Sequence, residues 1–291
     1  MIFLSDCGLL KVRRSSGLPW RGAGQKAGRR AGRRKDDADM GKNRLSEGIS
    51  ALTLHLFAMG CMLCDHLWAT LLPQWGWLNW VGRLAFPIFA FMAAEGCHHT
   101  RSLKKYLLRL TVFALLSEIP FDLMYGGRAF YPVHQNVIWT LLLGLLGAAA
   151  VEKIRKRGKW WLTALVFLLA AGAGYILGTL LMVDYYGPGV LTVLLFDLFR
   201  GRKWRHLLGQ AAGLYWVNVV LLGGMMVPVH IGGMELEISQ QGTALLALIP
   251  IWLYRGRQGP HSRAIQYACY AFYPLHMLIL TAVLRVMEQL A

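Results

Sequence analysis

Acidic side chains are scarce in this 291-residue chain: 15 Asp and Glu stand against 31 Lys and Arg, a formal net charge of +16. Charge of either sign is thin, at 16% of residues, while 56% are apolar and mean hydropathy is +0.42, which excludes an ordinary water-soluble enzyme. Cysteine is sparse too. Cys61, Cys64, Cys97 and Cys269 lie inside apolar runs and only Cys7 in a polar stretch, so no disulfide framework can be read. A phosphate loop, a zinc-protease motif and a nucleophile elbow are all missing. Excess positive charge by itself would admit a nucleic-acid partner. Here the basic residues are segregated from long apolar runs, so the expected partner is a lipid bilayer and not a nucleic acid.

The chain divides into a basic tail, 1–44, and an integral membrane domain, 45–291. Residues 1–39 are too poor in apolar side chains to fold and hold no h-region, so they read as a disordered tail; Met40 is a natural alternative start. Beyond them, nine apolar segments are expected to form membrane helices: about 49–72, 80–97, 103–124, 136–152, 160–183, 187–200, 206–227, 239–254 and 265–287. The sixth and eighth are short. Twelve Lys and Arg precede the first segment, three lie at Arg101, Lys104 and Lys105, five in 153–159, four in 200–205 and three in 255–263. The alternate connections contribute only Arg128. Positive charge stays on the cytoplasmic side, so the expected fold is an all-α polytopic bundle of about nine helices, N-terminus inside and C-terminus outside.

An ionisable group in the bilayer interior costs at least about 2.5–3.5 kcal/mol, which makes any cluster of them a functional candidate. Segment 1 holds His55, Asp65 and His66, segment 2 Arg83 and Glu95, and segment 3 Glu118 and Asp122. Alternating direction puts Asp65, His66, Arg83, Glu118 and Asp122 in the outer layer, near His134, Gln135, Asn136, Asp184 and Tyr185. Glu118 and Asp122, at i and i+4, share a helix face, and one of them is expected to orient His66 as a carboxylate orients a general base. Adjacent helical residues point about 100° apart, so Asp65 is better placed to pair with Arg83. These groups can also be read as ion pairs that only join segments 1–3. His55 and His66, eleven residues apart, project from nearly one face about 16 Å from each other. At the cytoplasmic end Arg101, Lys104, Lys105 and Arg109 form one basic face, suited to phosphates or to lipid headgroups.

Other patterns have simpler readings. Cys61-x-x-Cys64 lies in an apolar helix without a partner pair, and its cysteines read as packing residues. Trp75, Trp77 and Trp80 fit an interfacial belt, and the small residues from Ala170 to Gly178 allow close helix packing.

The strings Asp65-His66, Gly82-Arg83-Leu84-Ala85-Phe86-Pro87, Glu95-Gly96, His99-Thr100-Arg101, Lys104-Lys105-Tyr106, Ser117-Glu118-Ile119-Pro120-Phe121-Asp122, His134-Gln135-Asn136, Asp184-Tyr185 and Phe272-Tyr273-Pro274-Leu275-His276 together resemble the TraX family. The resemblance spans about Leu45 to Leu280. It implies a multi-pass inner-membrane protein; the family's named member acetylates the N-terminus of conjugative pilin. It also implies kinship with transmembrane acyltransferases, in which a basic residue, ten positions and a His recur on the first helix and acetyl-CoA donates from the cytoplasm. His66 takes the His position, and His55 stands where the superfamily has Lys or Arg.

On that resemblance the expected activity is acetyl transfer from cytoplasmic acetyl-CoA to an amine or hydroxyl of a pilin-like peptide, glycan or lipid, without a metal. His66 is the expected base or nucleophile, with Asp65, Glu118 or Asp122 supporting it. Arg83 or Asn136 would stabilise the oxyanion, and His134, Asp184 and Tyr185 would shape the acceptor entrance. Arg101, Lys104 and Lys105, with His55, Glu95 and His99, would hold the donor, and His276 would line the pathway. Intramembrane His, Asp, Glu and Arg equally suit a proton-coupled transporter, and an assembly factor for surface appendages needs no chemistry at all.

Overall fold

The computed structural model describes residues 48–231, 234–260 and 262–290, and the basic tail expected over 1–44 lies outside them. The chain is mostly helical: α1 (Ala51–Thr70), α2 (Gly76–Gly82), α3 (Ala85–His99), α4 (Leu103–Gly126), α5 (Val137–Arg155), α6 (Trp160–Leu180), α7 (Tyr186–Leu198), α8 (Trp204–Tyr215), α9 (Leu248–Leu253) and α10 (Arg263–Leu290). Helix starts follow their capping residues. Ser50 accepts from the Thr53 amide at 3.2 Å, Ser102 from Lys105 at 3.5 Å and Asn136 from Ile138 at 3.0 Å, each satisfying a donor the helix leaves open. Gly127, at φ 67°, closes α4 in the left-handed region where glycine carries no penalty.

Among the described residues five helices are long and apolar enough to cross a membrane: Ala51–Thr70, Gly76–His99, Val137–Arg155, Trp160–Leu180 and Arg263–Leu290. Tyr186–Leu198 and Gln240–Leu253 are apolar but shorter. Length and composition thus single out five of the nine expected segments. Three expected segments also differ in form. The second breaks between α2 and α3 at Arg83 and Leu84, which puts Arg83 at a helix end. The seventh runs through a π-helical turn, Trp216–Leu221, and stops before Gly223 and Gly224, both at positive φ. The eighth opens as a 3-10 helix, Gln240–Ala247.

Between the last two lies an element the all-helical expectation lacked. Strands β1 (Met226–Ile231) and β2 (Met234–Ser239) pair antiparallel, with Met226 opposite Ser239 and Ile231 opposite Met234. The sequence carries its signal, since alternating Met234-Glu235-Leu236-Glu237-Ile238 after Gly232-Gly233 is a hairpin pattern in the connection between the seventh and eighth segments.

The core, with Leu54, Ile88, Ala93, Leu145, Val193 and Met277 at 0% exposure, runs between α1, α3, α5, α7 and α10. Helix α6 packs differently. Its buried residues are Gly174 and Gly178, while Leu168, Leu169 and Leu180 are exposed, an apolar surface that hydrocarbon accepts and water does not. A side chain at Gly178 would meet the Tyr186 carbonyl oxygen at 2.9 Å, so α6 and α7 pack backbone to backbone, and one at Gly144 would meet the Val193 side chain at 2.4 Å, so α5 receives that side chain of α7 against its own backbone.

Gly178→Leu is expected to destabilise the protein by about 1–3 kcal/mol, because the clash falls on backbone that cannot rotate away. Gly172→Ala is the control, with nothing within 4 Å of its new carbon. Thermal unfolding in detergent checks the pair, and equal stability of the two variants would contradict this packing.

Candidate functional site

Asp65 and His66 close α1 and point to different neighbours, as the 100° helical step requires. Asp65 turns to α2. A side chain at Gly82 would come within 2.5 Å of the Asp65 Cβ, so glycine there lets the two helices touch. Asn79 Nδ2, one turn before Arg83, donates to Asp65 Oδ1 at 2.8 Å, and Arg83 Nη2 forms an ion pair with the same oxygen. Arg83 Nη1 reaches Gln241 Oε1 at 3.4 Å, and Gln241 Nε2 donates to Asn218 Oδ1 at 3.1 Å.

His66 turns to α10. Its Nδ1 lies 2.7 Å from Nε2 of His276, and the ring planes differ by only 6°. The other nitrogen of His276, Nδ1, lies 2.7 Å from the carbonyl oxygen of Phe272. A carbonyl only accepts, so His276 Nδ1 carries a proton. In the neutral pair His276 Nε2 is then the acceptor, His66 Nδ1 the donor, and the lone pair of His66 sits on Nε2. Both rings are buried, at 7% and 5% exposure. Among the described residues His66 Nε2 has no hydrogen-bond partner.

The expected orienting groups face elsewhere. Glu118 and Asp122 do share a face, but it looks toward residues 131–139 and not toward His66. Glu118 accepts from the Asn136 amide at 3.2 Å, from Asn136 Nδ2 at 2.5 Å and from Trp139 Nε1 at 2.7 Å. Asp122 Oδ2 accepts from the Tyr131 amide at 2.9 Å. Asn136 caps α5 and also donates to the Ala114 carbonyl at 2.9 Å, so its polar atoms tie α4 to α5. His134 Nε2 lies 3.5 Å from Asp184 Oδ1, and Asp184 Oδ1 accepts from the Tyr185 amide at 3.1 Å.

A small cavity of about 30 Å³ collects His66, Asp65, Asp184, Tyr185 and Tyr273, with Met62, Phe86, Phe89 and Val137 as apolar wall. That is room for about two waters. Neither Arg83 nor Asn136 lines it. A second cavity, about 70 Å³ and mostly apolar, is lined by His55 with Met59, Leu110, Phe113 and Tyr270. Met62, Phe89, Val137 and Tyr273 belong to both linings, so one layer of side chains separates the two spaces. His55 is buried and meets the Phe89 ring edge-on at 5.6 Å.

The expected donor-binding residues at the basic end are divided. Glu95 pairs with Arg200 at 2.8 Å and with His99 at 3.4 Å. Arg101 lines a cavity of about 690 Å³ with His98, Lys153, Lys156 and Asp197, and His98 bonds Asp197 at 2.6 Å. Lys104 and Lys105 are exposed on the first turn of α4 and line no part of it. Among the described residues no group of three His, Cys, Asp or Glu is placed to hold a metal.

Asn79, Asn218, Gln241 and Tyr273 were missed by a reading that tracked charged groups and histidine. Their signal is the same in kind: an amide or phenol at membrane depth also needs a partner.

The family model described as "TraX protein" matches residues 50–284, which takes in the whole of this arrangement. The chain belongs to the TraX family. It is also similar to the "Probable fimbrial assembly protein FimC, serogroup H1" of Dichelobacter nodosus, 29% identical over 245 residues, or 80% of this chain and 94% of that protein. No solved structure gives a significant match. His66, Arg83, His276 and the Asp184–Tyr185 pair all fall within the TraX match.

Removing one half of a desolvated ion pair strands the other. Arg83→Met is expected to cost about 3–5 kcal/mol, and Asp65→Asn combined with it to recover most of the loss. Thermal unfolding of the two single variants and the double variant measures the coupling, and simple additivity would remove the pair from any structural role.

Proposed function

We propose that this chain is a membrane-bound acetyltransferase that moves an acetyl group from cytoplasmic acetyl-CoA to an amine or hydroxyl acceptor at the opposite face. The reading places it in the cytoplasmic membrane with nine spans, N-terminus inside and C-terminus outside, in keeping with the distribution of Lys and Arg. The observation that carries it is the buried His66–His276–Phe272 chain, which leaves the lone pair on His66 Nε2 of an imidazole that lines a small cavity. A fixed tautomer with a defined lone pair is what a general base or a nucleophile uses.

In the direct course, the acceptor nitrogen or oxygen adds to the thioester carbonyl while His66 Nε2 takes its proton. The carbon–sulfur bond then breaks, the proton passes from His66 to the departing sulfur, and free CoA leaves. In the covalent course the same lone pair attacks first and the carbon–sulfur bond breaks, giving an acetyl-imidazole and CoA thiolate; the acceptor then adds to the acetyl carbon, the carbon–nitrogen bond to His66 breaks, and the acceptor's proton goes to the thiolate. Both need the thioester to reach His66, and the His55 cavity, separated from the His66 cavity by a single layer of side chains, supplies a route. Arg101 with Lys153 and Lys156 offers the donor's phosphates charge at the basic end. His134 and Asp184 stand at the acceptor side. The TraX membership and the fimbrial name of the relative favour a pilin-like peptide as acceptor. That same name favours a second reading, an assembly factor with no chemistry of its own.

Purified protein in proteoliposomes, given labelled acetyl-CoA and a pilin-like peptide, is expected to produce a labelled peptide. His66→Ala should lower that rate by at least about 10³-fold at unchanged expression and fold. Wild-type protein that leaves every acceptor unlabelled would favour the assembly reading, and an active His66→Ala would remove His66 from the chemistry.

A further inference from the structure

Among the described residues, the non-glycine positions in the left-handed backbone region are Met182, Tyr185 and Tyr186, all within one five-residue segment. Each such residue is strained and persists only where its surroundings hold it. Here they do. The Gln135 amide donates to the Met182 carbonyl at 2.9 Å and the Asp184 amide to the Gln135 carbonyl at 2.9 Å. Thr140 Oγ1 donates to the Asp184 carbonyl at 2.5 Å, and the Tyr186 amide donates to the Val183 carbonyl at 2.7 Å. The result is a fixed position for the Tyr185 ring, which stacks on Phe86 with centroids 4.2 Å apart and planes 13° apart. The Arg83 guanidinium carbon lies 5.9 Å from the centre of the same ring.

Acyl transfer passes through a tetrahedral intermediate whose oxygen becomes an anion and needs a donor fixed in advance. Arg83 and Asn136 do not line the His66 cavity; Asn136 is engaged with Glu118 and Ala114, and Arg83 with Asp65 and Gln241, its Nε alone among the guanidinium nitrogens lacking a partner among the described residues. Of the polar side chains that do line it, Asp65 and Asp184 accept when ionised, and His66 gives its proton to His276. The hydroxyls of Tyr185 and Tyr273 are left. Tyr273 stands against the His276 and Phe113 rings, each with centroids 6.0 Å away, in the wall shared with the His55 cavity. Tyr185 is the one anchored by strained backbone, an aromatic stack and a neighbouring cation.

We propose that the Tyr185 hydroxyl donates the hydrogen bond that stabilises the oxyanion formed when the acceptor adds to the thioester. The assignment rests on the acetyl-transfer reading. The hydroxyl keeps its own proton throughout: it bonds to the carbonyl oxygen as the new bond to carbon forms, and releases it when the carbon–sulfur bond breaks and the carbonyl is restored.

The test uses the full chain in proteoliposomes with acetyl-CoA as donor and hydroxylamine as acceptor, reading acetohydroxamate and free CoA. Tyr185→Phe keeps the ring stack and is expected to lower kcat about 10²–10³-fold with KM for acetyl-CoA within about threefold, while Tyr273→Phe loses less than about tenfold. Should Tyr185→Phe fail to fold, ring-fluorinated tyrosines placed at 185 change the acidity of the donor and not its shape, and kcat is expected to track that acidity. A Tyr185→Phe kcat within about threefold of wild type, or a flat response to fluorination, overturns the assignment and leaves acetyl transfer standing. A wild-type protein that makes no acetohydroxamate overturns both.

Discussion

A carboxylate and a guanidinium withdrawn from water have to be joined to each other, and in this chain that requirement decides where α2 lies against α1. Asp65 and Arg83 meet because Gly82 lets the helices touch, and Asn79 donates to the same carboxylate from the preceding turn. The pair does more than satisfy two charges. It spends Asp65 on α2, which leaves His66, one residue on and 100° round, free to face α10. It also places the guanidinium beside the Tyr185 ring, so the segment that opens α7 is tied to the end of α1. A desolvated pair of this kind is weak evidence for net stability but strong evidence for a specified arrangement, since either half alone would be costly.

Much of this could be read from the residues, and the limits are instructive. The cost of charge at membrane depth picked out Asp65, His66, Arg83, Glu118 and Asp122, and the helical step foresaw the division between Asp65 and His66. What the step cannot supply is which helix lies opposite. Segments 1–3 follow one another in the chain, so a carboxylate from segment 3 was the natural partner for His66. The structure instead brings in His276, 210 residues away, and employs Glu118 and Asp122 in fastening 131–139 to α4. Lys104 and Lys105 illustrate a second limit. Helical spacing would give them one face with Arg101, yet Arg101 precedes the Ser102 cap and lines the cavity of about 690 Å³, while the two lysines on the first turn of α4 do not. The hairpin was missed for a third reason. A search for apolar runs passes over alternation, and alternation is what a strand offers.

The close packing of α5, α6 and α7 serves the same region from further off. With glycine at 144, 174 and 178, α7 sits near enough for Gln135 and Val183 to bridge, and that bridge holds the strained segment from Met182 to Tyr186. Interior void is thus eliminated in one part of the bundle and kept in another, where His66, Tyr185 and Tyr273 surround it. The distribution of glycine and of bulky aromatic side chains decides which.

The partition made by Met62, Phe89, Val137 and Tyr273 bears on how tightly the interior is sealed. A bundle with hollows that follow one another offers a possible path for water and ions through its interior. Three of these four side chains offer no site for a hydronium or a chain of waters, so the hollows stay insulated from each other until a ring or a thioether swings aside.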